Sequence, residues 1–252
     1  MSAGSTVGVL DGRIALVTGG AGGIGAAIAR AMAGAGARVA VVDSRLPAAA
    51  LVADGIAGGS CAFEADVREP GSVLAAVQAV MREFGRIDVL VNCAGVALLA
   101  PAETMCLRSW DTTLDVNLRG AFLTAQAVGR HMLAAGRGKI INIASTAATV
   151  GMAEHAAYCA SKAGLLGLTR ALAVEWGPHG LTVNAVSPTA VLTDLSRNVL
   201  RGDDGEAFIR LIPSGRFVEP EEVAALVTFI ASDAADMMNG ADVVLDGGYT
   251  SR

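Results

Sequence analysis

Residues 13–25 read Arg13-Ile-Ala-Leu-Val-Thr-Gly-Gly-Ala-Gly-Gly-Ile-Gly25. A short apolar run ends in a glycine cluster, and Ala26-Ala-Ile-Ala-Arg-Ala-Met-Ala33 follows, rich in helix formers. A buried strand, a tight glycine turn and a helix make the opening unit of a dinucleotide-binding βαβ fold. Glycine lets the backbone turn sharply and lets a pyrophosphate approach, its charge facing the N–H groups of the helix start. Both Gly22 and Gly23 are present, so the pattern fits two spacings at once. A P-loop is excluded, because Gly25 is followed by Ala26 and not by Lys-Ser/Thr. Taken alone, the turn is equally compatible with plain strand–helix packing.

The remainder of the chain repeats the unit. Strand-like apolar runs recur at 14–17, 38–42, 61–64, 87–91, 139–143, 181–186 and 242–245, with helical stretches near 24–35, 46–56, 70–84, 109–135, 156–176 and 220–231. This alternation predicts a single-domain α/β Rossmann fold: a doubly wound, seven-stranded parallel sheet with helices on both faces. Residues 1–12, small and polar, read as a loose N-terminal lead, and 13–252 as the dinucleotide-binding catalytic domain. Residues 190–217 break the alternation after a strand's carboxyl end, where an α/β sheet places an active-site lid.

Bulk properties narrow the class. With 252 residues, 53% hydrophobic and 17% charged, the chain has ample core for one large domain. The longest stretch without Asp, Glu, Lys or Arg, 176–193, carries two prolines, two glycines and an asparagine, so no spanning helix is expected. The N-terminus lacks a charged start followed by an apolar segment, so no secretory signal is expected. A net charge of −5 argues against a nucleic-acid surface. Cys61, Cys93, Cys106 and Cys159 form no C-x-x-C pair, which favours reduced, buried thiols and a cytoplasmic protein. His131, His155 and His179 stand in no ligand spacing, so no metal site is expected.

Several residues have the right type and place for chemistry. Asp43 closes the second strand, about 20 residues after the glycine turn, where an acid accepts from the ribose hydroxyls of NAD and repels a 2′-phosphate. Arg45, two residues on, could welcome that phosphate, but the nearer carboxylate should outweigh it. Asp66-Val67 and Asn92-Cys-Ala-Gly95 follow the third and fourth strands, at the edge where such sheets bind ligands. Each is also ordinary turn chemistry. Tyr158 and Lys162 are i and i+4 on one helix face. A free tyrosine titrates at about 10, and bringing it to neutrality takes roughly 4 kcal/mol of differential stabilisation. A fixed cation nearby supplies part of that. Ser145 ends the fifth strand, and its hydroxyl there could hold a substrate oxygen toward the phenol. Asn117 sits inside an apolar helix, where asparagine is a poor helix former and points to a local kink, a water site or a satisfied buried amide. Each of these has a bland structural reading when taken singly.

Together, from Leu10 to Tyr249, these residues resemble the short-chain dehydrogenase/reductase family. Thr18-Gly19 with Gly23-Ile24-Gly25 is similar to its cofactor glycine motif, and Asn92-Cys-Ala94-Gly95 to its Asn-Asn-Ala-Gly, with cysteine in second place. Asn117, Ser145, Tyr158 and Lys162 match its catalytic tetrad in order and spacing. The segment ending in Pro188, with Val191 and Thr193, matches the part that flanks the nicotinamide, and Asp246-Gly-Gly matches the C-terminal end. Thr189 departs from the usual glycine and resembles a xylulose-reductase-like branch. The resemblance implies NAD-dependent interconversion of a secondary alcohol and a ketone. Tyr158 would be the acid/base, with Lys162 lowering its pKa and holding the nicotinamide ribose. Ser145 would orient the substrate oxygen, and Asn117 would position a relay water. It further implies a homotetramer paired through helices 109–135 and 156–176 and, from the 188–193, 215–217 and 246–249 segments, a small polyol or ketose as substrate. Three rivals remain: a 3-oxoacyl or hydroxysteroid-type carbonyl reductase of the same family, a sugar-nucleotide epimerase, which needs a larger C-terminal domain, and a nicotinamide-binding regulator without turnover.

Overall fold

Every residue of Ile14–Thr18 is buried, and this strand, β1, lies in the interior of a seven-stranded sheet. The computed structural model describes residues 8–56, 58–193 and 202–251. The other strands are β2 (Arg38–Asp43), β3 (Cys61–Glu64), β4 (Val89–Asn92), β5 (Gly138–Ile143), β6 (Leu181–Pro188) and β7 (Asp242–Leu245). They lie in the order β3-β2-β1-β4-β5-β6-β7, and every pairing is parallel. The order reverses between β1 and β4, which opens a crevice at their carboxyl ends. The expected doubly wound parallel sheet is therefore present.

Because helices cover both faces, the strands are apolar on both sides. Val17, Val41, Val91 and Ile141 point to one layer, where α1 (Gly23–Gly34) and α8 (Pro220–Ala231) supply Ile28, Met32, Val227 and Ile230. Leu16, Val42, Leu90 and Ile140 point to the other, against α3 (Pro70–Phe84), α5 (Gly120–Ala135) and α6 (Ala156–Trp176) through Val77, Val128, Met132 and Leu172. Two short helices, α2 (Leu46–Asp54) and α4 (Leu107–Leu114), complete this part of the chain. Burying each such aliphatic side chain is worth about 1.5–3 kcal/mol, so the rigid frame beneath the crevice rests on both layers.

Three expectations change. The lead is shorter than 1–12: Leu10 is fully buried and its N–H donates to Ala35 O at 2.9 Å, so residues 8–12 belong to the packed domain. Residues 1–7 lie outside the described residues. The helix expected over 109–135 is two helices, α4 and α5, joined by a π-helical turn at Asp115–Arg119 with Asn117 at its middle, which is the kink that residue foreshadowed. The 190–217 excursion is tied down at its start by the pairing of Val191 with Val218, and it contains α7 (Asp203–Ile209). Its central part, 194–201, lies outside the described residues. Among the described residues no helix is long and apolar enough to cross a membrane.

Candidate active site

The crevice is built from backbone first. Thr18, last residue of β1, accepts at Oγ1 from the N–H groups of Cys93 (3.1 Å) and Ala94 (3.3 Å), joining the ends of β1 and β4. Gly19 has φ +66°, and a Cβ there would sit 2.8 Å from Ala94 N and Cα. A Cβ on Gly25 would lie 2.2 Å from Gly19 O. Gly23, at φ +52°, would press a Cβ to within 3.2 Å of the Thr193 methyl. Gly22 faces open space with extended backbone, which settles the ambiguous spacing in favour of Gly19, Gly23 and Gly25. No side chain caps α1 and no acid stands in its first turn, so its positive end is left for an anion. Ile24 packs against the core beside it. This cradle fits a dinucleotide diphosphate.

Asp43 is 9% exposed at the end of β2 and leans on the glycine turn, with Oδ2 accepting from Ala21 N at 3.2 Å. Its Oδ1 accepts from Arg45 N at 3.0 Å and lies 3.4 Å from Arg45 Nε, while the rest of the arginine is exposed. Asp66, after β3, repeats the arrangement with Arg68: Oδ1 accepts from the backbone N at 3.0 Å and from Nε at 2.9 Å, and Arg68 holds its carboxyl below the usual range. Val67 is buried against Gly120, where any side chain would overlap it. Asn92 donates to Asn142 Oδ1 (2.9 Å) and Ala121 O (3.3 Å); its own Oδ1 is buried with no partner among the described residues, as is Thr189 Oγ1. Gly95 borders both Asn117 and Lys162, 3.4 Å and 3.7 Å from where its Cβ would be.

Four side chains converge at the carboxyl edge of β4–β6. Ser145, after β5, caps the 3-10 turn at Thr146–Ala148 by accepting from Ala147 N at 3.1 Å, and its hydroxyl faces the Tyr158 phenol closely enough to pull the phenol's pKa down. Lys162 is buried, donates to Ile143 O at 2.7 Å and stands over the Tyr158 ring, 5.6 Å from its centre. Burial lowers the lysine to about 8. Asn117 spends its amide on Val96, accepting from its N at 2.8 Å and donating to its O at 2.9 Å, and donates to Ser161 Oγ at 3.0 Å.

Tyr158 is not lowered by Lys162 in this structure; desolvation raises it, with the Ser145 hydrogen bond pulling the other way. The ammonium is bonded to a carbonyl beneath the ring, so it does little for the phenol oxygen. The partly buried Cys93 thiol is pushed up to about 12 by desolvation. The cysteines are all free, but contrary to the expected burial none is fully buried: Cys61, Cys93 and Cys159 are partly exposed and Cys106 is exposed.

The outer rim holds His155, whose Nδ1 lies 2.6 Å from Ala153 O and whose ring meets Tyr158 edge-on at 6.1 Å. Glu154 has φ +64°, and its carbonyl accepts from Ala100 N at 3.1 Å, linking the loops after β4 and β5. The sequence reading missed the work of Thr18, Arg68 and Ser161. Its only signal for the arginine was the Asp-x-Arg spacing shared by 43–45 and 66–68. Among the described residues no group of three or more His, Cys, Asp or Glu could hold a metal ion.

This geometry defines a nicotinamide-dinucleotide oxidoreductase, and comparison with known proteins agrees. A family model described as enoyl-(acyl carrier protein) reductase, of the short-chain alcohol dehydrogenase type, matches residues 19–250. The chain belongs to the short-chain dehydrogenase/reductase family and is an enzyme acting on CH–OH groups. It is 56% identical over 246 residues to D-threitol dehydrogenase of Mycolicibacterium smegmatis, covering 96% of this chain and 95% of that one. It is 42% identical over 240 residues to NAD-dependent glycerol dehydrogenase of Listeria innocua, covering 95% and 94%. The crystal structure of a short-chain type dehydrogenase/reductase from Mycobacterium marinum superposes with a TM-score of 0.91 at 38% identity, covering 96% and 97%.

Proposed function

We propose that this enzyme interconverts a small polyol and its ketose, with Tyr158 exchanging the proton. The observation that carries the reading is the Ser145–Tyr158–Lys162 grouping at the carboxyl edge of the sheet, beside a glycine cradle suited to a diphosphate. NAD is held by Gly19, Gly23, Ile24 and Gly25 at the diphosphate and by Asp43 at the ribose. Asp66, Val67, Asn92, Ala94 and Gly95 line the adenine side and floor, and Pro188, Val191 and Thr193 the nicotinamide side. When bound, the cofactor supplies the hydride acceptor.

The protein's residues then manage the proton. Ser145 holds the substrate oxygen against the phenol, and Tyr158 takes the hydroxyl proton in oxidation or returns it in reduction. A phenol raised by burial is a proton donor at neutral pH, so Tyr158 rests in the form suited to ketone reduction. Lys162, titrating at about 8, can pass a proton onward at modest cost. The π-helical turn takes backbone carbonyls out of the regular helix ladder, and the Asn117 carbonyl is suited to hold a relay water.

The substrate class draws on the rim. His155 directs Nδ1 at a carbonyl, which leaves Nε2 as an acceptor for a second hydroxyl, and the fixed Glu154 turn keeps it there. The similarity to threitol and glycerol dehydrogenases supports the same class. A carbonyl-reductase alternative draws on Leu98 and Leu99, exposed in the loop after β4. The test compares kcat/KM for C4–C6 polyols with that for matched plain secondary alcohols and hydrophobic ketones. A pocket that hydrogen-bonds hydroxyls rejects analogues lacking them by large factors. Better turnover of the apolar set would overturn the polyol reading.

The proposed assembly is a cytoplasmic homotetramer. On α6 the outward residues Ala160, Ala163, Gly167, Ala171 and Val174 form a small, apolar strip, with Val174 79% exposed. A helix with apolar residues on its outer side is usually covered. Light scattering should give four times the 25.3 kDa of one chain; a single-chain mass would end this idea.

A further inference from the structure

We propose that Ser161 is a positioning residue that places Tyr158 by fastening the first turn of α6 to Asn117. The inference rests on the reading of Tyr158 as the proton-exchanging group. Ser161 is fully buried, accepts from Asn117 Nδ2 at 3.0 Å and donates to Tyr158 O at 2.7 Å. Asn117 is itself pinned to Val96 by two hydrogen bonds, so one hydroxyl joins the loop after β4, the π-helical turn and the start of α6. His155, at the N-cap of that helix, makes no capping hydrogen bond, so the hold on its start falls to Ser161 and to the Lys162 bond to Ile143 O. The helix also lies close to the turn: a Cβ on Gly164 would come within 2.7 Å of Leu118.

A second clip of the same kind lies two turns further along. Asn142 donates to Thr169 Oγ1 at 2.9 Å, and Thr169 donates to Leu165 O at 2.8 Å. Positions i and i+8 share one buried helical stripe, so both clips resist rotation of α6 against the sheet. They differ in what they hold. The Thr169 clip is remote from the site, whereas the Ser161 clip grips the carbonyl of the tyrosine and immediately precedes Lys162. A serine hydroxyl bonded back to a helical carbonyl also bends the helix locally, and here the bend falls at the residue whose aim matters. Alanine would form this helix better, so the buried hydroxyl costs stability that its two hydrogen bonds offset.

The groups around the Tyr158 phenol are Ser145, Lys162, His155, Cys93 and Cys159. Releasing the first turn moves the ring relative to all of them. The chain has two tyrosines, so in a Tyr249→Phe background Tyr158 is the only phenol and its ultraviolet titration reads its surroundings without turnover. Ser161→Ala is expected to fold, to move that titration down toward the free value of about 10, and to lower kcat about tenfold to hundredfold, the cost of a misplaced reacting group. Thr169→Ala should lower the melting temperature yet leave the titration and kcat at parental values. Ser161→Thr, which keeps the hydroxyl, should restore both. Parental titration and kcat in a folded Ser161→Ala, or equal changes in Thr169→Ala, would overturn the proposal. If the alanine variant does not fold, Ser161→Cys, similar in size with a weaker donor, takes its place, and parental values there overturn it too. The titration stands apart from catalysis, so an active Tyr158→Phe would remove the reading of the site without imitating any of these results.

Discussion

The two edges of the sheet hold comparable numbers of polar side chains and use them in opposite ways. At the amino edge, two adjoining cavities of about 320 and 360 Å³ are lined by Arg86, Asp88, Arg137, Arg13, Lys139, Asp233 and Asp236. The charges there are matched. Asp88 accepts from Ile14 N at 2.8 Å and Arg86 Nε at 2.9 Å, Lys139 bonds Ser232 O and Asp236, each at 2.7 Å, and Arg13 pairs with Asp233. At the carboxyl edge, among the described residues, Lys162 has a carbonyl and no acid as its partner, and Asn92 Oδ1 and Thr189 Oγ1 are buried without one. Buried polar groups are normally satisfied, so those left open mark where a ligand completes the structure. These two cavities thus lie at the edge that holds the fold together, and the proposed site lies at the other.

The sharpest way to break this contrast is to delete one group on the open side. Tyr158→Phe should lower kcat by about 10²–10⁴-fold while secondary structure and NADH binding stay close to parental. Activity within a few-fold of the parent on a verified substrate would refute the role. The matching change on the closed side is Asp88→Ala, which strips the Ile14 N–H and Arg86 of their acceptor. It should cost about 1–3 kcal/mol of stability in urea melts with kcat unaltered. A fall in kcat without a fall in stability would mean that the two edges are not separate in function.

Asp43 tests the boundary between the two behaviours, because it is both satisfied and facing the cleft. Its hydrogen bonds to Ala21 and Arg45 fix the carboxylate, and in the proposed cofactor pose a 2′-phosphate would meet like charge there. Asp43→Ser should move the ratio of kcat/KM for NAD over NADP toward NADP by about tenfold, roughly 1.4 kcal/mol, with Arg45 then freed to meet the phosphate. An unchanged ratio would place the discrimination elsewhere.

How much of this was legible in the chain follows the same division. Apolar runs such as Gly138–Ile143 and Leu181–Pro188, and helices such as Pro70–Phe84 and Ala156–Trp176, were readable because burial writes itself into local periodicity. Asn117 betrayed the kink, since an amide inside an apolar helix needs partners. The helix Asp203–Ile209 left little trace, because seven residues with a glycine among them carry too short a pattern. Leu10 was lost among small polar neighbours, and only its contact with Ala35 reveals it as core. The direction of the Tyr158 shift could not come from an i, i+4 spacing. It depends first on how far the phenol is buried, which raises it, and only the fold decides that.

Lys162 gives the last and smallest prediction. Burial lowers Lys162 from the ordinary value of 10.5 to about 8, so between those pH values the unfolded chain binds a proton that the folded protein does not. Stability then rises with pH across the window, by at most about 1.4 kcal/mol per pH unit, and the penalty for burying the charge is present in full below about 8. Other groups titrate there as well: the Cys93 thiol, raised to about 12, opposes the trend by holding its proton in the folded state. The useful quantity is therefore the difference between parent and Lys162→Met, both measured without cofactor. Urea melts from pH 7 to 10.5 should show the parent gaining on the variant above about pH 8, with a constant gap below it. A flat difference would mean that Lys162 keeps its proton in the free enzyme as readily as in water.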